Sequence, residues 1–550
     1  MKEQKDTKTG FSELPVCATE FIDCVIKKMR YRKKVRRDVQ AELESHFEDE
    51  LKDCKTDEQR EQKARQLIAG FGDVKLLAIL LRRAKKRCRP LWRKAVVRSF
   101  QAVGIVILYI LICFAPLVLG RPNVSVNYAD WLNEQGRAGR AQSENAYPYY
   151  EKAVAASVKM PGLLTETKVQ WPADFNDVEV QQLTQWLSES GEAFNLLVQG
   201  TRKPYYWSVY TLAETDLNKG MDGFIPVLID SVLMKNLSEY RTLARAMNWR
   251  SRYKAYEGNV ESALEDCISL VKFGRHQQGK GLLIEQLVGI AIEALAHGSI
   301  SVIIEKTDVP SNTLKSIHEQ LQAEFAGAQK VVNLDGEKAF LYDYIQRTFT
   351  DDGSGGGRML ARGAPLAVGD WKTGMWRFAT LSYPDRREVT RMVDQYYEFA
   401  GQLLDETPLQ LERTDESEKL GEIAGKSFLI KILAPAHDRI VNICWRVKTH
   451  RIAVLTMLAL ARFEKDKGRY PENLASLVEL GYLKEIPNDP YSDGPLVYKR
   501  TDESFILYSL GENLTDDGGR VARRDDGRIK QWASEGDWVF WPVPQSEVTQ

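Results

Sequence analysis

Ser269-Leu-Val-Lys272 places a hydroxyl and an amine one helical turn apart, and Lys372-Thr-Gly374 follows downstream. A serine beside a lysine base could act as an acyl-transfer nucleophile, and the two motifs stand in the order such enzymes use. The SxN element between them is missing, and Ser269 falls among the apolar residues of an amphipathic helix. Ser269 and Lys272 are therefore expected to belong to a packed helix rather than a catalytic pair. Asp351–Arg358, DDGSGGGR, would offer glycine amides to a phosphate. No apolar strand precedes it and the GxxxxGK[ST] spacing fails, so an exposed loop is expected. HExxH and GxSxG are absent, and the six histidines form no metal-type cluster with cysteine. His46 is expected to pack on a neighbouring helix, since nothing nearby supplies a ligand set. No catalytic residue and no small-molecule substrate is identified.

The elements that would position any site begin with an uneven charge distribution. Residues 1–98 hold 26 Lys+Arg and 16 Asp+Glu, whereas the whole chain of 550 residues is neutral. Ser99–Gly120, SFQAVGIVILYILICFAPLVLG, carries no charge. The 20 residues from Phe100 to Leu119 reach about 30 Å as a helix, the thickness of the bilayer hydrocarbon. Arg82, Arg83, Lys85, Lys86, Arg87, Arg89, Arg93, Lys94 and Arg98 precede this run, and only Arg121 closely follows it. Basic flanks resist translocation, so residues 1–98 are expected in the cytoplasm and 121–550 outside it. The basic half is thus assigned to topology and not to nucleic acid. The apolar run starts too late and is too long for a cleaved signal peptide. Cys17, Cys24, Cys54 and Cys88 would lie on the reducing side, with Cys113 in the span. Cys267 and Cys444 would lie outside, where pairing and two buried free thiols both remain open.

Residues 16–90 read as a compact helical prefix after a disordered tail over 1–15. Val35, Val39, Leu43, Phe47 and Leu51 form one apolar stripe. Thr56 and Gln59 have capping-box spacing, Gly70-Phe71-Gly72 stops a helix, and Asp73 can cap the next. Glu42-Leu-Glu-Ser-His46, the alanine helix and Phe71-Gly-Asp73 resemble the bacterial permease-prefix domain. That resemblance implies a regulatory or assembly role.

From Tyr128 to about Lys426 the periodicity is mostly helical. Leu243, Ala244, Met247 and Tyr253 line one helix, Glu257-Gly-Asn259 turns, and Val260, Ala263, Leu264, Cys267, Ile268 and Val271 line the next. Glu144–Ser157 has a similar texture. These pairs resemble tetratricopeptide-type hairpins without a steady period. Gly281–Ile304 is apolar, but Glu285, Glu293 and His297 predict a buried helix, since each charge at mid-bilayer costs about 2.5–3.5 kcal/mol.

The C-terminal stretch has a different rhythm. A helix from about Ile432 carries Ile452–Ala461, ends in Arg462, Lys465 and Lys467, and stops at Gly468. Pro471 is expected in the first turn of a short helix bearing Leu474, Leu477 and Val478. Pro487, Pro490 and Pro495 frame turns. Leu496–Tyr498, Phe505–Tyr508 and Asp537–Trp541 read as strands, the first two joined by Thr501–Ser504.

GRYPENLASLVELGYLKEIPNDPYSDGPLVY followed by LYSLGENLTDDGG resembles the globular half of the type II secretion major pseudopilins (protein G-like). The resemblance implies a calcium ion held by the carbonyl of Leu510 and the carboxylates of Asp516, Asp517 and Asp537. Calcium takes six to eight hard oxygens from such loops. Arg520, Arg523, Arg524, Arg528 and Lys530 follow directly and would weaken a cation site. Gly10-Phe-Ser-Glu13 does not match the cleavable leader of that family: Pro15 follows and the apolar span comes much later.

The expected fold is mainly α with a small α+β module at the C-terminus. It comprises a helical bundle over 16–90, a transmembrane helix over 99–120, a helical array over 121–430 and a pseudopilin-like module over 431–550. The expected function is a single-pass anchor in a bacterial inner membrane with an exported assembly role, partnered by the bilayer and other envelope proteins. A secretion-system component and an exported hydrolase are the alternatives.

Overall fold

The computed structural model describes residues 14–87, 91–166, 171–210, 236–327, 329–360, 383–525, 527–530 and 532–544. Gly10-Phe-Ser-Glu13 and Lys372-Thr-Gly374 lie outside them. The chain is mainly helical with one small antiparallel sheet. It divides into two compact units, Met1–Cys113 and Phe114–Gln550.

The first unit is a bundle of helices Val16–Lys28, Lys33–Leu51, Asp57–Phe71 and Val74–Arg87, followed by Leu91–Leu119. Val39, Leu43, Phe47 and Leu51 are buried on one stripe of the second helix, four residues apart. Phe21 and Phe47 meet Phe71 at 5.7 and 5.8 Å between ring centres. Thr56 Oγ1 accepts the Gln59 amide at 3.4 Å. Asp73 Oδ1 accepts the amides of Lys75 and Leu76, satisfying donors left open at a helix start. Gly72 sits at φ 70°, a left-handed turn that stops the helix before it. His46 packs edge-on against Phe71 at 5.7 Å, a packing role as expected.

The second unit has its own cores. The hairpin Leu237–Tyr256 and Val260–His276 forms as its periodicity predicts, with Gly258 at φ 85° in the turn and Asn259 Oδ1 capping Ser262. Leu283–Lys306 packs on both helices of that hairpin. The close approach depends on glycine: a Cβ on Gly274 would stand 2.5 Å from the Gly289 carbonyl oxygen, and one on Gly289 would stand 2.4 Å from that of Gly274.

The long helix spans His437–Lys467 and not from Ile432 as expected; Phe428–Leu433 is a separate short helix. Pro435 explains the break, because the residue before proline is driven out of the helical region. Gly468 at φ 69° ends the helix, its amide donating to the Glu464 carbonyl. Ile440, Val441, Cys444 and Val447 enter one core with helices Asp335–Thr348 and Arg386–Leu403. Ala453, Val454, Met457 and Leu460 enter another with the hairpin and the sheet. That second core runs from Ala146 to Trp541, so packing continues across the expected boundary near 430.

Strands β1 (Val497–Arg500), β2 (Phe505–Ser509) and β3 (Trp538–Trp541) pair in sequence order, all antiparallel. Thr501–Ser504 closes the first hairpin, with the Thr501 amide donating to the Ser504 carbonyl at 2.9 Å. Pro471 lies ahead of the short helix Ala475–Glu479 and not in its first turn. Its carbonyl instead accepts the Tyr498 hydroxyl at 2.7 Å, tying the helix exit to β1.

Candidate functional site

Among the described residues no hydrogen bond joins Ser269 to Lys272. Ser269 Oγ donates to the Glu265 carbonyl at 3.0 Å, so its proton is engaged one turn back on its own helix. The companion Lys372-Thr-Gly374 lies outside the described residues. The glycine loop is also turned inward. Asp352 Oδ1 accepts the amides of Ser354 and Gly356 at 2.8 and 2.9 Å and the Ser354 hydroxyl at 2.8 Å. Amides that a phosphate would need face a carboxylate of the loop itself, and the Ser354 amide foremost holds Asp352 below its usual range.

The carboxylates of the C-terminal loop are occupied in the same way. Asp516 Oδ1 accepts the Tyr508 hydroxyl and the Gly518 amide, both at 2.8 Å. Asp517 Oδ2 accepts Asn513 Nδ2 at 2.8 Å. Asp537 accepts the amides of Asp517 and Gly519 at 3.3 and 2.6 Å. Among the described residues no group of three or more His, Cys, Asp or Glu stands close enough to hold a metal ion. Calcium at Leu510, Asp516, Asp517 and Asp537 would have to compete with these donors for the three carboxylates. Asp489, which sequence reasoning passed over, organises this region. Its buried carboxylate accepts Ser509 Oγ and the amides of Tyr491 and Leu510 at 2.8–3.1 Å. A calcium chelator is expected to leave the melting curve of the full chain unchanged. A lowered melting temperature that calcium restores would establish the metal site.

Cys267 and Cys444 are both free and buried. Burial pushes each thiol up to about 12, which keeps both protonated and unreactive.

The strongest polar arrangement lies deep in the second unit. Glu293, on Leu283–Lys306, is 0% exposed. Arg451, from the His437–Lys467 helix, grips it with Nε to Oε1 at 2.6 Å and Nη2 to Oε2 at 2.9 Å. Gln278 completes the knot: its Nε2 donates to Glu293 Oε2 at 2.6 Å, and its Oε1 accepts Arg451 Nη2 at 2.8 Å. Such a two-pronged pairing is the geometry that satisfies a buried carboxylate. Burial alone would raise Glu293, but the charge and hydrogen bonds of Arg451 outweigh it and hold the carboxyl below its usual range. His297 lies one turn on, with Nε2 3.6 Å from Glu293 Oε1. Its ring meets the ring of His450 edge-on at 4.7 Å. Burial pushes His297 down to about 4 and His450 well down, so both rings are neutral at pH 7.

This knot joins two helices and their cores. Its Glu293, Arg451 and Gln278 groups bond one another, while neither His297 nitrogen has a hydrogen-bond partner. Glu293 and His297 signalled their burial in the sequence by interrupting an apolar run. The sequence carries no sign that Arg451, 158 residues from Glu293, is the partner.

Beside the knot is a cavity of about 770 Å³, lined chiefly by apolar side chains. Ala291, Ala294 and Gly298 form one wall, and Trp532 and Phe540 belong to the other. His450 lies on the lining, stacked against Phe540 at 5.6 Å. With this geometry in hand, the chain matches no known family model, and no curated protein or solved structure is similar to it.

Proposed function

We propose that this chain is a membrane-anchored, non-enzymatic binding protein. A cytoplasmic helical prefix is joined by one span to an exported helical array and a terminal pseudopilin-like module. The array and module dock other envelope proteins.

One observation carries the anchor. Among the described residues two helices are long and apolar enough to cross a bilayer, Ala95–Cys113 and Leu283–Lys306. The most apolar stretch of the first is 0% buried within the protein and that of the second is 67% buried. An apolar helix that no part of its own chain covers needs another apolar surround. Leu283–Lys306 has its surround already, in the hairpin and the His437–Lys467 helix, and it carries the Glu293 knot. The basic residues ahead of Ala95 favour a cytoplasmic N-terminus. The permease-prefix and pseudopilin resemblances support assembly over catalysis, as does the engagement of Ser269 and Asp352 within their own helix and loop.

Topology is the first test. Alkaline phosphatase fused after the last residue should be active in the envelope, and the same enzyme fused after Pro90 should be inactive. The reverse pattern would overturn the orientation. Crosslinking in the native envelope should then capture proteins through residues 121–550.

A further inference from the structure

The cavity beside His450 has a role that neither the anchor nor the docking reading assigns. Ala291, Ala294 and Gly298 are spaced three and four residues apart, which puts them on one face of their helix. This is the face the rest of the chain leaves partly uncovered: Ala291 is exposed and Ala294 and Gly298 are half-buried. Small side chains there leave a flat strip opposite aromatic rings. Trp532 is fixed from two sides, by Trp538 at 4.9 Å and by His450 at 5.3 Å between ring centres. The volume, about 770 Å³, lies within the range of about 300–1,000 Å³ that small-molecule sites occupy, and one inserted side chain would leave much of it unfilled.

The walls are not wholly apolar. His450 is 6% exposed, and its Nδ1 has no hydrogen-bond partner. An orphaned buried polar atom is costly, and a ligand hydrogen bond would satisfy it. The lining also carries Arg252, Arg446 and Lys530 with Glu535 and Asp537, and with Glu512 the charges balance. Arg446 is shared with Glu512, which lies off the lining, and Lys530 with Glu535. Asp537 is committed to loop amides. Arg252, itself buried, donates Nε to Ser299.

We propose that this cavity binds a free fatty acid: its alkyl chain lies along the Ala291–Ala294–Gly298 strip under Trp532 and Phe540, and its carboxyl group meets the unpartnered Nδ1 of His450. Apolar length and one buried unpartnered polar atom are together the complement of a single-chain amphiphile with one small polar head. The inference concerns the second unit alone and holds whichever side of a membrane that unit occupies.

The test uses the full chain in lipid nanodiscs with a diazirine-bearing palmitic acid, followed by peptide mapping. Label is expected in peptides from residues 283–306 and 532–544, and excess palmitic acid should remove it. Ala294→Trp fills the slot and should cut that label at least about tenfold. Labelling of Leu91–Leu119 by the same probe should not change, which provides an internal measure of bilayer contact. Ala291→Leu is the milder variant should Ala294→Trp fail to fold, with an expected loss of about threefold and an unchanged circular dichroism spectrum. Label confined to Leu91–Leu119, or label in the cavity peptides that neither variant nor palmitic acid reduces, would overturn the proposal.

Discussion

Replacing Arg451 by methionine is expected to destabilise the second unit by about 3–5 kcal/mol, because it leaves a carboxylate buried without its charge partner. Glu293 is fully enclosed, and two of its strongest hydrogen bonds come from Arg451. Once these are gone, only Gln278 Nε2 still donates to it. The side chain must then take up a proton or admit water, and either disturbs the packing of two helices. Glu293→Gln should cost a similar amount from the other side, stranding the guanidinium. The double variant Glu293→Leu with Arg451→Met removes both charges and is expected to recover most of the loss, since an apolar pair of similar volume often matches a buried ion pair. Urea unfolding followed by tryptophan fluorescence would give the three values. Single variants within about 1 kcal/mol of the parent would show that the knot is worth no more than a surface pair.

Local signals in the sequence were strong wherever the determining residues are neighbours. The stripe Val39, Leu43, Phe47 and Leu51, the caps at Thr56 and Asp73, and the left-handed Gly468 are each decided within one or two turns of chain. All three strands were legible because apolar alternation and turn residues agree there. The helix starts at His437 and not near Ile432 because the apolar pattern runs straight through Pro435, whereas backbone sterics do not allow the helix to. The union of array and sheet in one core was invisible for a different reason. Met457 and Trp541 share that core only because the chain turns back on itself, and no periodicity encodes which turn brings them together. The loop carboxylates show the same limit at the site. Asp516, Asp517 and Asp537 have the composition of a cation loop, yet an acceptor serves amides as readily as metals, and only geometry distinguishes the two uses. The cavity left no trace at all, since alanine and glycine on an apolar helix read as ordinary packing.

Acid is expected to unfold the second unit well above the pH at which its surface carboxylates titrate, because burial lowers His276, His297, His318, His437 and His450. Burial pushes His297 down to about 4 and His276 to about 3, and lowers His450 well below the ordinary value. Lys280 adds to the effect at His276, whose Nδ1 also meets the Tyr150 hydroxyl at 2.6 Å. Each ring stays neutral in the fold and takes a proton near pH 6.5 once unfolded. Between those two values the unfolded chain binds more protons, so stability falls as the pH falls. For His297 the loss from pH 7 to 4.5 comes to about 2.5 kcal/mol, and His276 and His450 act in the same direction. Glu293 adds to the slope at lower pH, because its carboxyl is held down in the fold and its stabilising charge is lost as it takes a proton. Glu285 and Asp489 oppose it, since burial raises both and their protonated forms suit the interior. His297→Phe separates the contributions: it removes one titrating ring and should make the pH dependence shallower by about 2.5 kcal/mol over that interval. The readout is the urea midpoint at half-unit pH steps from 7 to 4.5. A parent curve that is flat over this range, or a variant curve parallel to it, would mean that the histidines reach water in the folded chain.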